Sequence, residues 1–412
     1  MLRKNKKLIL FSFGLLSAIS FTVKAQSVDQ HILVAPECLL KNTNNSYKPL
    51  ASAKSLSLIA ADNASIEQLV AAKNANKTLC GGFMDVTRAW NKYNAIHPAS
   101  TDQAKSFLMQ YTSQNQSLSP QKKKKPVYEI KYQKQVTQLL TQLNPQEMWG
   151  LLTTLSSSQD RYANSDNGVN AANWLKTQVE TFAKENNRND VTVYTIATEG
   201  YKQPSVVAKI GNSSGPGIVI GAHMDTLSGS FRKMPGADDD GTGTVTVLEA
   251  ARTLLSSGMT FKKPIYFVWY AAEEEGLVGS ESVVNEFTSN NIPVDAVLHF
   301  DLTGFAYKND PTMWLIDDYV DKNLSLYLGK LIDAYVKQPV KHTRCGYACS
   351  DHARWTEGGY AAAIPAESAY EDTNPNIHSS QDTMDKLSLS HMTDYVKLAA
   401  AFAIEMAEPA GK

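Results

Sequence analysis

An α/β layer fold, with a mixed, mainly parallel central β-sheet sandwiched between helices, is predicted for all but the first part of this 412-residue sequence. Three observations carry the prediction. Short runs such as 217–222 and 264–271 are apolar on both faces, which marks strands covered by helices on either side. Stretches with helical periodicity, as at 173–180 and 244–255, separate those runs. The runs also end in acidic residues and histidine, and ligands in open α/β sheets gather beyond the carboxyl ends of the strands.

Taken in order, the chain opens on a leader. Arg3, Lys4, Lys6 and Lys7 precede an apolar run from Leu8 to about Val23, and Val23 and Ala25 suit the −3 and −1 positions of a cleavage site before Gln26. The run is broken by Ser12, Gly14, Ser17 and Ser20, whereas a span needs about 20 mostly apolar residues. A signal peptide over 1–25 and an exported, extracellular protein without a stable membrane anchor are therefore expected. Residues 26–125 are rich in Ala, Ser, Asn, Lys and Gln with weak helical patterning, as at 65–70, and end in the lysine run 122–125 before Pro126. That run reads as an exposed linker open to proteolysis. The segment is expected to be a pro-region removed by a processing protease, leaving residues 126–412 as the catalytic domain.

Beyond 126, strands are expected at 191–196, 206–210, 217–222, 264–271 and 295–300, with helices at 278–287, 324–336 and 394–406 besides those above. The composition, 43% hydrophobic and 20% charged, is that of a chain that buries a sizeable core. A net charge of −1 offers nothing to attract nucleic acid or an anionic membrane. Export permits disulfides, and the four cysteines, Cys38, Cys80, Cys345 and Cys349, allow three connectivities. The short spacing favours Cys345 with Cys349, leaving Cys38 with Cys80.

The chemistry-bearing residues cluster at strand ends. One strand runs into His223-Met224-Asp225, the next into Glu273-Glu274-Glu275, and a third into Asp301. Between the first two lies PGADDDGTG, a loop entering a helix. Each piece alone has an ordinary explanation as a capping cluster or a solvated turn. Gathered at one sheet edge, the carboxylates would repel strongly unless cations neutralised them. Histidine with carboxylate suits zinc, and a bridging carboxylate suits two metals about 3.5–4 Å apart.

GAHMD, PGADDDGTG, YAAEEEGLVGS, HFDLTG, CGYACSDHARW and NPNIHSSQDT together resemble the M28 family of zinc aminopeptidases, and within it the secreted bacterial, Vibrio-type leucyl enzymes. The resemblance runs from about 145 to 406 and implies the zinc-peptidase (phosphorylase/hydrolase-like) fold. It implies two zinc ions: His223 and Asp301 on one, Glu274 and His378 on the other, and Asp239 bridging. It also implies Glu273 as general base, Tyr347 beside the developing oxyanion, and a cis peptide between Asp239 and Asp240; Asp225, two residues beyond His223, is well placed to orient the His223 ring. The side-chain pocket maps onto Leu302, Tyr347, Ile364, Ala366, Tyr370, Thr373 and Ile377. These are mostly apolar, so an N-terminal Leu, Met or Phe is the expected substrate residue. Ala366 and Thr373 depart from the aromatic residues of the Vibrio-type enzymes. Of the other histidines, His299 is expected to be a satisfied core residue and His352 to be structural or pocket-supporting.

Same-fold alternatives are a glutaminyl cyclase and a carboxypeptidase or deacylase. PGADDDGTG and CGYAC favour the aminopeptidase, and the stretch between Asp301 and His378 holds no inserted dimerisation domain. An inactive binding protein would lack a ligand or the base, and none is missing. Peptides with a free N-terminus, the protein's own pro-region as inhibitor or chaperone, and a processing protease are the expected partners of what is expected to be a monomer.

Overall fold

The computed structural model describes residues 30–410, apart from 42, 44–46, 54, 76–81, 98–101, 118–127 and 230–231. The leader expected at 1–25, the lysine run at 122–125 and Cys80 lie outside the described residues. Among the described residues no helix is long and apolar enough to cross a membrane.

The N-terminal part is a small module of its own. Strands β1 (His31–Pro36), β2 (Lys48–Ala53), β3 (Leu56–Ala61) and β4 (Met84–Asp85) form an antiparallel sheet in the order β2-β3-β1-β4. Helices Asn63–Ala75, Thr87–Ile96 and Gln103–Ser117 accompany it. The helical patterning at 65–70 falls in the first of these helices. The strands go beyond the expectation of weak helix alone: HILVAP and LSLIAA are short apolar runs that become strands by pairing with each other, His31 opposite Ala61. Both faces of this sheet are buried. Leu33, Ala35, Ile59 and Ala61 join one apolar cluster and Ile32, Val34, Leu58 and Ala60 another.

The main sheet has six strands. They are β5 (Val191–Ile196), β6 (Ser205–Ile210), β7 (Gly217–His223), β8 (Ile265–Tyr270), β9 (Val294–Phe300) and, after β10 (Met313–Ile316) and β11 (Val340–Thr343), β12 (Ala362–Ala363). The order is β12-β9-β7-β8-β6-β5. Strands β12, β9, β7 and β8 are parallel, and the hairpin β5–β6 adds on antiparallel to β8. The sheet is mixed and largely parallel, as the alternating pattern implies. Strands β10, β11 and the short β13 (Pro365–Ala366) make a separate three-stranded sheet.

Helices cover both faces, which explains why β7 and β8 carry no polar side before their last residues. One face packs Ile218, Ile220, Phe267 and Trp269 against Val247, Leu254, Leu328 and Phe402 from helices Gly243–Ser256, Lys322–Leu331 and Leu389–Ala407. The other packs Val219, Tyr266 and Val268 against Val283, Phe287 and Trp355 from helices Val278–Ser289 and His352–Glu357. The sheet's carboxyl edge is thus held in a rigid frame, and loops leaving that edge present their side chains from fixed positions.

Candidate metal centre

Four loops meet at the carboxyl edge. The end of β7 delivers His223, and Asp225 follows it. After β8 come Glu273 and Glu274, and after β9 comes Asp301. Residues Ala237–Thr242 form an irregular turn in which Asp239 (φ −98°, ψ 101°) and Asp240 leave helical geometry, and the peptide between them is cis. Gly236 has φ +49°, and a Cβ there would lie 2.5 Å from the Asp239 carbonyl oxygen. A side chain at Gly241 would meet the Gly236 carbonyl at 2.6 Å. The tight turn therefore requires glycine on both sides.

The structure brings the five expected ligands into two groups that share one residue. His223, Asp239 and Asp301 form the first and Asp239, Glu274 and His378 the second, with ligand atoms of each group within 4.8 Å of one another. Asp239 Oδ1 lies 3.1 Å from His223 Nε2, and Asp239 Oδ2 lies 2.9 Å from His378 Nε2. His223 Nε2 is 3.7 Å from Asp301 Oδ1, and His378 Nε2 is 3.1 Å from Glu274 Oε2. Each group thus offers one imidazole nitrogen and two carboxylates converging on one point, the donor chemistry of zinc. Glu273, the immediate neighbour of Glu274, belongs to neither group.

The electrostatics agree with a place for cations. Burial pushes Asp240, Glu275 and Asp382 well up from the ordinary carboxylate range, with neighbouring acids adding to the effect. Burial pulls His223 down, but Asp225, Asp239 and Asp301 outweigh it and hold its pKa well above the usual histidine value. Burial likewise raises Asp239, yet His378 and His223 bring it well below its usual value. Cations held among these buried carboxylates would offset their mutual repulsion and their loss of solvation.

Asp225 does more than face the His223 ring, from which its Oδ1 is 3.5 Å away. Its carboxylate accepts the backbone N–H of Glu273 at 3.0 Å and of Glu274 at 3.2 Å. It therefore ties the end of β7 to the loop after β8. His299, buried, pairs with the Ser350 hydroxyl at 2.7 Å, and the buried His352 has Nε2 3.1 Å from the Asp318 carbonyl; neither joins a ligand group. His342, which has no context in the sequence, pairs with Asp317 on the surface.

Two residues beyond those expected hold the turn. The buried Arg161 guanidinium donates to the carbonyls of Met224 (2.8 Å), Pro235 (2.7 Å) and Gly236 (2.8 Å). Asp382, four residues after His378, accepts the N–H of Asp238 at Oδ1 and of Asp239 at Oδ2, both at 3.0 Å. Asp382 thereby fixes the backbone of the shared ligand. Replacing Asp382 by Asn removes one of these two acceptors and points an amide N–H at another. Zinc affinity, read by chelator competition, is expected to fall about 10–100-fold, as losses behind a metal ligand do.

Of the pocket residues, Tyr347 and Tyr370 face each other edge to face with centroids 6.3 Å apart, and the Thr373 hydroxyl donates to the Tyr370 carbonyl at 2.8 Å. Leu302 (φ +61°) is joined to the metal turn by its N–H to Asp240 Oδ1 at 3.1 Å. Ala366 pairs with Trp314 in the small sheet. Ile364 is buried, and Ile377 directly precedes His378. Cys345 and Cys349 form a disulfide that closes the loop bearing Tyr347. Cys38 is exposed, and its expected partner is the undescribed Cys80.

Comparison with known proteins agrees with this geometry. The model of Peptidase family M28 matches residues 205–403. Leucine aminopeptidase 1 of Chaetomium globosum is 38% identical over 294 residues, covering 67% of this chain and 71% of its own. The solved LapA aminopeptidase of Legionella pneumophila superposes with a TM-score of 0.83 at 44% identity, over 92% of this chain and 99% of that one. LapB of the same organism gives 0.80 at 37% identity, over 92% and 100%. The chain belongs to peptidase family M28 and is a zinc aminopeptidase, a peptide hydrolase.

Proposed function

We propose that this chain is an exported aminopeptidase that holds two zinc ions and releases an apolar N-terminal residue, such as Leu, Met or Phe, from peptides. The observation that carries the reading is Asp239, whose two carboxylate oxygens face His223 and His378 separately. His223 and Asp301 would hold one ion, Glu274 and His378 the other, and Asp239 both. Zinc held there supplies Lewis acidity to the scissile carbonyl and to the attacking water.

The protein's own groups do the rest. Glu273, held by its backbone N–H on Asp225 and belonging to neither ligand group, takes the proton of the attacking water and passes it to the leaving amine. Tyr347, on the disulfide-closed loop, donates its hydroxyl to the oxygen on which negative charge develops. The acidic surround of the site accepts a free α-amine and disfavours a blocked one, which restricts cleavage to the N-terminal residue. The leader at 1–25 supports export, and the Cys345–Cys349 disulfide is consistent with an oxidising destination.

The reading is tested with three substrates: leucine p-nitroanilide, its N-acetyl derivative and a peptide with N-terminal glutamine. Hydrolysis of the first alone is expected. Preferential turnover of the acetylated compound, or cyclisation of the glutamine peptide, would replace it with one of the same-fold activities. The pocket assignment has its own test. Ala366→Phe refills the place where the Vibrio-type enzymes carry an aromatic ring and is expected to narrow the range of accepted aminoacyl p-nitroanilides, the bulkiest losing most. An unchanged profile would move the pocket elsewhere.

A further inference from the structure

The N-terminal module packs against three of the segments that carry the site, the Glu273–Glu274 loop, the Tyr347 loop and the stretch between Asp225 and the metal turn, in the manner of a domain core. Its β4 edge meets the Glu273–Glu274 loop directly: the N–H of Asp85 donates to the Gly276 carbonyl at 3.2 Å. Gly276 has φ +105°, and a Cβ there would stand 2.7 Å from the Asp85 nitrogen, so the two backbones approach as closely as only glycine permits. The buried Arg354 then locks the junction. Its Nη2 donates to the carbonyls of Asp85 (2.6 Å) and Gly276 (3.1 Å), and its Nε to that of Leu277 (3.3 Å). Tyr111 of the module donates to Glu357 at 2.8 Å, and Glu357 in turn receives Arg354 Nη1 at 3.1 Å.

Apolar packing extends these contacts to the other loops. On one face of the module sheet, Ile32, Val34, Leu58, Met84, Val86 and Phe107 pack in a single cluster with Leu277, Ala348 and Ala353. Ala348 is the neighbour of Tyr347 inside the disulfide loop. On the opposite face, Leu33, Ile59, Ile66 and Phe83 cluster with Leu227 and Met234, which bracket the path from Asp225 to the metal turn. Releasing the module would expose apolar surface from both faces at once and strip the buried Arg354 guanidinium of one of its acceptors, the Asp85 carbonyl.

We infer that the N-terminal module is a permanent brace of the three site loops, and that a cut between residues 117 and 128 nicks the chain without releasing it. The module then acts on the reaction by holding the Glu273–Glu274 and Tyr347 loops in register, where a displacement of about 1 Å costs on the order of 10²-fold in rate. This goes beyond the proposed activity and reverses the expectation of a pro-region that leaves.

The test uses the full chain with one site-specific protease sequence placed between 117 and 128. After cutting, both fragments are expected to elute together on non-denaturing size-exclusion chromatography, with leucine p-nitroanilide turnover within about two-fold of the uncut protein, far from the 10²-fold of a displaced site. Separate elution overturns the inference, and so does a several-fold rise in turnover, which would mark the module as a cover. Co-elution is read without an enzymatic assay, so it stands or falls apart from the two-zinc mechanism. In the uncut chain, Arg354→Met is expected to lower kcat about ten-fold or more with zinc content retained. Unchanged or raised kcat in that variant contradicts the brace, and the nicked wild-type protein decides the matter if the variant does not fold.

Discussion

Glu273→Gln lowers kcat for leucine p-nitroanilide by about 10²–10⁴-fold, the range general-base catalysis contributes, and leaves zinc content unchanged. The substitution is close to isosteric, and the backbone N–H that Glu273 donates to Asp225 survives it. What is lost is one proton acceptor. Because Glu273 stands outside both ligand groups, the loss falls on kcat while KM moves little. Steady-state kinetics beside zinc analysis of the same preparation separates this outcome from a collapse of the site. Undiminished turnover would assign the base elsewhere.

Asp239→Asn produces a second kind of damage. An aspartate at this position offers one oxygen to His223's group and the other to His378's, at 3.1 and 2.9 Å from the two imidazole nitrogens. Asparagine keeps a single carbonyl oxygen and turns an amide N–H toward one of the two positions. On the proposed two-zinc reading, one ion would lose a ligand outright, and the pocket would lose a unit of negative charge that balances the cations. Zinc binding at one position is expected to weaken by more than the about 10–100-fold typical of losing a residue behind a ligand, and activity falls with it. Titration of zinc into the apo variant, followed by both affinity and turnover, measures this. Two equally tight sites in the variant would show that Asp239 is not shared.

The catalytic domain is largely legible in the sequence because its signals are local. Strands β7, β8 and β9 are apolar runs ending in charged residues, and buried strands of parallel sheets carry that pattern. The ligands lie at those ends, inside short motifs whose order matches a known family. The N-terminal sheet lacks such a signal. HILVAP and LSLIAA are strands because they pair with each other and bury both faces, a long-range fact that no local periodicity records. Arg161 is illegible for the same reason: in SSSQDRYANSD nothing marks it, and the carbonyls it binds lie more than sixty positions away. Asp382 sits within a motif that the resemblance covers, yet its hold on the N–H groups of Asp238 and Asp239 emerges only from the folded turn. The role of Asp225 widens similarly, from facing one imidazole to holding the backbone of the Glu273–Glu274 loop.

Two ligand groups share Asp239, and on the proposed reading each holds an ion. The zinc content of the dialysed, fully active wild-type protein tests it most directly. Two zinc ions per chain, with activity lost on chelation and restored as zinc is returned, is the predicted result. Full activity with a single zinc per chain, and no further activation by added metal, would contradict it.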